Sequence, residues 1–359
     1  MGFEVLSVDN SRWVDLVRQA GADIFYEPSY SRFVTDGTPH RGLMMLYQDD
    51  LGTVFDVTIE KSVANLPFFG DIAMEFISSP VDLASPDYNS PMILAELSDH
   101  AELLRRYRHA VDSYCLERGV VTEFVRFHPM SATADSCAGF LEVARGAELL
   151  YVNLLNGYDA AYQGYRKGHK STIKKAAREG ADFRLVPATD TEVLGRLFRF
   201  YTETMQRKGA KSVYLHSSEH FASMSRHLEQ RIMLMESLFH GQVASVNVFL
   251  LGQKHMWFKY SGLDQQFRKS GAHTYMMDRA IHWASHHGFE HVMLGGGIVE
   301  GDTTYASKRG FTHTSAPVHH GKKIHNQGVM NRLLNAKQSY DRRLGLTTAT
   351  NYFPSYWLI

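Results

Sequence analysis

Cysteine is nearly absent from this chain. Its 359 residues include two, Cys115 and Cys137, and no CxxC pair. That excludes a disulfide framework and points to reduced, structural thiols in a cytoplasmic protein. Net charge is absent too: 38 Lys and Arg are balanced by 38 Asp and Glu. No global field draws the protein to nucleic acid or membrane, so any such binding must come from a local patch. No uninterrupted apolar run approaches the ~18 residues of a membrane-spanning helix. The start, Met1-Gly2-Phe3-Glu4-Val5, lacks the basic and apolar regions of a signal peptide. Histidine is plentiful, but no HExxH occurs, and His286-His287 and His319-His320 lack the i, i+4 spacing of a helical metal site. The histidines are expected mostly at the surface, and no metal is expected.

What is present is an ordinary globular composition at a length that favours two domains. Two regions share a pattern. Asp99 to Arg118 reads as a helix: Asp99 and Glu102 form a capping box, Leu103, Leu104, Tyr107, Ala110, Val111 and Tyr114 recur at helical spacing, and Gly119 suits the C-cap. A strand, Val120 to Phe127, follows and is stopped by His128-Pro129. Further on, Tyr275, Met276, Ile281, Trp283 and Ala284 lie in a helix ended by Gly288, and a strand around Val292 follows. Upstream of each helix are strands joined by short turns, at Asp49-Asp50-Leu51-Gly52 in one half and at His240-Gly241 and Leu251-Gly252-Gln253 in the other. Such turns favour antiparallel hairpins. The expected fold is therefore α+β, with two similar modules, each a mixed and mostly antiparallel sheet flanked by helices.

Between the modules, Tyr158 to Gly180 reads as one amphipathic helix. Lys167, Lys170, Lys174 and Arg178 share a face, with Tyr162, Tyr165, Ile173 and Ala176 roughly opposite. A run of cations with no acid among them is either a solvated face or a ridge suited to a nucleic-acid backbone.

Several segments, in order, carry a family signature. They are Phe124-Val125-Arg126-Phe127-His128-Pro129; His169-Lys170-Ser171-Thr172-Ile173-Lys174-Lys175-Ala176 followed by Gly180; Tyr201-Thr202-Glu203-Thr204-Met205-Gln206-Arg207; Leu294-Gly295-Gly296-Gly297 through Lys308-Arg309-Gly310-Phe311; and Tyr352-Phe353-Pro354-Ser355-Tyr356. With them the chain resembles the Fem-type aminoacyl-tRNA-dependent peptidyltransferases, relatives of the GNAT acyltransferases built from two GNAT-like modules. The resemblance covers about residues 20 to 357. It implies a first module over 1–150, a second over 151–345, and a tail, 346–359, packing back on the first.

The resemblance also implies an activity: transfer of an amino acid from its tRNA ester to an amine-bearing peptide or small molecule, with aminoacyl-tRNA as co-substrate and no other cofactor. An ester is already activated, so the protein has to hold the amine near the carbonyl and stabilise the oxyanion. Lys308 matches the family's basic residue before Gly-Phe and is the catalytic candidate. Arg207 and Tyr260 match positions that bind the acceptor, and Gly295, Gly296 and Gly297 would let a substrate approach bare backbone. Lys167, Lys170, Lys174 and Arg178 would meet the tRNA. Asp264 and Glu300 are local candidates for accepting the amine proton.

Two departures from the family stand out. A Tyr-Gly-Tyr-Gly-Gly segment found in many cell-wall members is replaced by Phe76-Ile77-Ser78-Ser79-Pro80-Val81-Asp82-Leu83, and Glu27 to Asp36 offers Arg32 where muropeptide-specific members have a lysine. These point away from a peptidoglycan precursor as acceptor. The competing enzyme reading is a GNAT acyltransferase using acyl-CoA, whose diphosphate loop is half-formed at Arg268-Lys269-Ser270-Gly271-Ala272-His273 because histidine fills the last small position. A non-catalytic GNAT-like binding protein is the third reading.

Overall fold

A computed structural model of the protein describes residues 2–96, 100–210, 214–296, 303–347 and 352–358. The chain forms two compact units, one of Met1–Gly146 with Val318–Ile359 and the other of Ala147–Pro317. The strand and helix after Val318, which the sequence groups with the second module, therefore lie in the first unit. No local signal marks that return, because the segment's burial partners are far away in sequence.

In the first unit, Gly2–Ser7, Arg41–Asp49, Gly52–Ser62, Val81–Ala84 and Val120–Arg126 lie side by side in that order. The first three pairings are antiparallel and the last is parallel, with Val81 opposite Val120. Helix Ala101–Arg118 lies in the chain between the two parallel strands. Its Leu103, Leu104, Tyr107 and Val111 are buried with Val54, Val120 and Val125. Gly119 ends it at φ 72°, closing the orphan carbonyls of Cys115 and Leu116. Asp99 of the expected capping box lies outside the described residues. At the tail, Tyr356 and the indole nitrogen of Trp357 both donate to the buried Asp82, at 2.8 and 2.7 Å.

The second unit repeats the plan. Its strands run, in order, the part of Glu142–Asn153 from Ala147 on, then His291–Gly295, His255–Leu263, Gln242–Leu251, Ile232–Phe239 and Ala181–Val186. All pairings are antiparallel except His255–Leu263 with His291–Gly295, and helix Ala272–His286 connects those two strands. Parallel neighbours need such a crossover, which is why both halves of the sequence show a helix followed by a strand. Met276, Met277, Ala280, Ile281 and Ala284 of that helix are buried with Leu150, Phe249, Val292 and Leu294.

The segment expected as one helix over 158–180 is two, Gly157–Gln163 and Lys167–Arg178. The break falls at Gly164-Tyr165-Arg166, where Arg166 adopts an extended ψ of 142°. The ammonium of Lys170 donates to the terminal Gln163 carbonyl at 2.9 Å and so closes the first helix.

Candidate active site

Strands His255–Leu263 and His291–Gly295 pair at only three positions among the described residues, the last being Trp257 opposite Met293. The first strand then continues with Gln242–Leu251 as its partner out to Leu263. The second continues against Glu142–Asn153, where the register shifts and Gly295 meets Leu150. Two parallel neighbours thus part company beyond the Trp257–Met293 pair. Tyr260 and Gly296 stand three residues beyond the last pair, one on each side.

The Gly296 side holds Lys308. Its ammonium donates to the Gly296 carbonyl at 2.7 Å. Gly295 has φ 79°, a left-handed conformation, and a Cβ there would lie 3.2 Å from the Lys308 nitrogen. The bare backbone is what lets the lysine fold over the strand end. The structure therefore brings Gly295, Gly296 and Lys308 together. Gly297 and Glu300 lie outside the described residues.

Lys308 ends a helix of six residues, Thr303–Lys308. Such a helix is too short to be stable alone, so its geometry is set from outside. The ammonium of Lys208 donates to the Thr304 hydroxyl at 2.9 Å. At the other end, His169 Nε2 bonds the Ser307 carbonyl at 2.9 Å, and the Arg166 N–H bonds the Gly310 carbonyl at 3.0 Å. A Cβ on Gly310 would come within 2.0 Å of the His169 ring. That contact explains the glycine of the Lys-Arg-Gly-Phe motif. Phe311 meets the same imidazole edge to face, at 4.8 Å between centroids.

On the other side, Tyr260 follows a strand irregularity: Val248 faces Tyr260 while Phe249 faces Phe258. The extra residue, Lys259, turns Tyr260 toward helices Thr191–Arg207 and Ser218–Leu228. There its ring is surrounded by Tyr201, Phe221, His216 and His220, and its hydroxyl lies 2.8 Å from His220 Nε2. The His216 and His220 rings stack at 4.0 Å and 9°. Burial, aided by Lys259, pushes His216 down to about 4. Burial, with His216 and Lys259 adding to it, pushes His220 down to about 3. Both are neutral at physiological pH. Arg207 is exposed and ends the helix whose Tyr201 packs on Tyr260.

The basic helix divides its cations. Lys167, Lys174 and Arg178 are exposed, while Lys170 is half-buried and committed to Gln163. Ile173 and Ala176 are buried on its inner face.

The loop resembling a diphosphate cradle is used differently. Gly271 has φ 78° and caps helix Ala272–His286; a Cβ there would meet Thr172 Cγ2 at 2.9 Å and Ala176 Cβ at 3.2 Å. Its missing side chain serves close packing against the basic helix. His273, two residues on, has a buried Nδ1 with no hydrogen-bond partner among the described residues, and burial, with Lys208 nearby, pushes it down to about 4. Asp264 caps the turn Gln265–Phe267 through the Gln266 N–H at 3.0 Å.

The sequence reading missed His169, His216, His220, His273 and Lys208, having set the histidines aside as surface residues. One signal was present: Ser217 between His216 and His220 is a good N-cap, and its hydroxyl accepts from the His220 N–H at 3.2 Å. In the first unit, Arg32 is occupied locally, donating to the Val8 carbonyl at 2.7 Å and to Asp9 at 2.8 Å.

Comparison with known proteins bears on the fold. The model of the acetyltransferase (GNAT) domain matches residues 150–307, a span inside the second unit that contains the strand opening. The fold is similar to that of FemX, with a TM-score of 0.70 and 10% identity over 92% of this chain and 99% of that one. It is also similar to the C-terminal domain of a putative lysylphosphatidylglycerol synthetase from Agrobacterium fabrum (TM-score 0.52, 12% identity, 93% of this chain and 94% of that one). A conserved protein of unknown function from Bacteroides thetaiotaomicron has a TM-score of 0.53 and 8% identity over 82% and 88% of the two chains. At such identities the likeness is one of fold. No curated protein matches the sequence. Among the described residues, no helix is long and apolar enough to cross a membrane.

Proposed function

We propose that this chain, a Fem-like protein of tandem GNAT fold, transfers an aminoacyl group from charged tRNA to an amine, forming a peptide or isopeptide bond. The observation that carries the reading is the Lys308 ammonium held 2.7 Å from the Gly296 carbonyl, at the place where two parallel strands separate. In this reading the amine nitrogen attacks the ester carbonyl at the opening and Lys308 faces the charge that develops on the oxygen. The N–C bond forms, the bond to the tRNA 3′-oxygen breaks, and the proton lost by the amine ends on that oxygen. Tyr260 and Arg207 would contact the acceptor. The exposed Lys167, Lys174 and Arg178, with no acid in their helix, would meet the tRNA backbone.

Two features favour tRNA over acyl-CoA as donor. Gly271 is taken up by helix packing, and histidine stands at 273, the sequence position where a diphosphate loop needs a small residue. The GNAT-domain match favours the acyl-CoA reading and makes it the alternative. The commitment of Arg32 to Val8 and Asp9 supports an acceptor other than a nucleotide-linked muropeptide. Donor choice is the test: charged tRNA or acetyl-CoA is offered with a pool of amines, with and without RNase. Transfer from charged tRNA that RNase abolishes is the expected result, and transfer that survives RNase and requires CoA overturns it.

A further inference from the structure

His169 lies in the basic helix between Lys167 and Lys170, next in sequence to cations that would meet the tRNA. Its contacts lead elsewhere. A carbonyl oxygen can only accept, so the 2.9 Å contact with Ser307 puts a proton on Nε2. The Ser307 carbonyl has two lone pairs: the Gly310 N–H takes one, at 3.1 Å, and His169 takes the other. The ring also fills the space beside Gly310 and meets Phe311 edge to face. All these contacts fall within three residues of Lys308, on a helix too short to hold its own geometry.

We infer that His169 is a positioning residue for Lys308: it fixes the end of helix Thr303–Lys308 so that the ammonium stays over Gly296. The inference rests on the reading of Lys308 as the cation that stabilises the transition state. It also ties the two ends of the proposed site together, because the helix that would meet the donor tRNA also holds the catalytic lysine.

The test uses the full chain with His169→Ala and His169→Gln; glutamine keeps an N–H able to reach the Ser307 carbonyl. Displacing a reacting group by about 1 Å can cost on the order of 100-fold in rate. His169→Ala is therefore expected to lose about 10- to 100-fold in the rate of transfer from charged tRNA to glycinamide, with unchanged tRNA affinity and unchanged salt dependence. His169→Gln is expected to recover most of the rate. A second arm needs no substrate: the acetylation rate of Lys308 by acetic anhydride, read by peptide mass spectrometry against exposed Lys174, should change in His169→Ala and return in His169→Gln. Gly310→Ala should give the same defect, and adding it to His169→Ala should cost little more. Full activity in His169→Ala, or a loss of tRNA affinity that accounts for the loss of rate, overturns the inference and leaves His169 a phosphate contact. If the wild-type chain transfers nothing from either donor, the functional reading fails, and the Lys308 labelling still decides the role of His169.

Discussion

The hydroxyl of Tyr260 and Nε2 of His220 face each other at 2.8 Å, inside a nest of rings. Burial keeps His220 neutral. A phenol is the stronger acid of the pair and imidazole nitrogen the stronger base, so the tyrosine donates and its one proton is committed to the histidine. What Tyr260 offers a ligand is then an acceptor, which suits the N–H of an amine. Tyr260→Phe is expected to raise KM for the amine about tenfold, the worth of one hydrogen bond. His220→Glu, which can only accept when ionised, should keep that polarity beside Lys259. His220→Lys, which can only donate, should reverse it and raise KM as Tyr260→Phe does. Equal KM values for the Glu and Lys variants would contradict the assignment.

The basic helix separates binding from stability. Lys174 is exposed, whereas Lys170 closes the preceding helix on Gln163. Lys174→Glu should weaken tRNA binding, lower the slope of log K against log salt by about one, and leave the melting temperature unchanged. Lys170→Glu should lower the melting temperature as well. A flat salt response in the wild type would leave the helix as scaffold.

Gly271 carries two constraints, a left-handed φ and the contact with Thr172. Gly271→Ala should destabilise the protein by about 1–3 kcal/mol in chemical denaturation. Acetyl-CoA should not alter the difference. An alanine variant as stable as wild type would mean that the two helices pack differently.

Three histidines in the second unit set an acid limit. His216 and His273 are held near 4 and His220 near 3 by burial, against an ordinary value of 6.5. Their unfolded forms bind protons first as pH falls. The stability these residues contribute is therefore complete above about 6.5, and it is lost as pH falls through the window from 6.5 to about 3–4. Thermal melts from pH 7.5 to 4 should show the loss, and His273→Gln should make the curve shallower. A melting temperature independent of pH over that range would contradict it.

Much of the frame was legible in the sequence. Helix Ala101–Arg118, its Gly119 cap and the strand after it follow from local spacing and one glycine. The same pattern around Ala272–His286 announced the second crossover. The break at 164–166 was not legible, because the apolar spacing on either side continues one helical register. Nor were the roles of His169 and His220. Their partners lie 138 and 40 residues away, and only the folded chain brings them together. The resemblance led to Lys308; the contacts that hold it could not be read from spacing.

The central claim is that Lys308 stabilises the transition state of aminoacyl transfer from tRNA. Single-turnover transfer from charged tRNA to glycinamide, by wild type and by Lys308→Met, tests it most directly. The account predicts a rate loss of about 100- to 1000-fold in the variant, as for removal of one oxyanion donor, with an unchanged melting temperature and with wild-type transfer abolished by RNase. A Lys308→Met protein that transfers at the wild-type rate would contradict it.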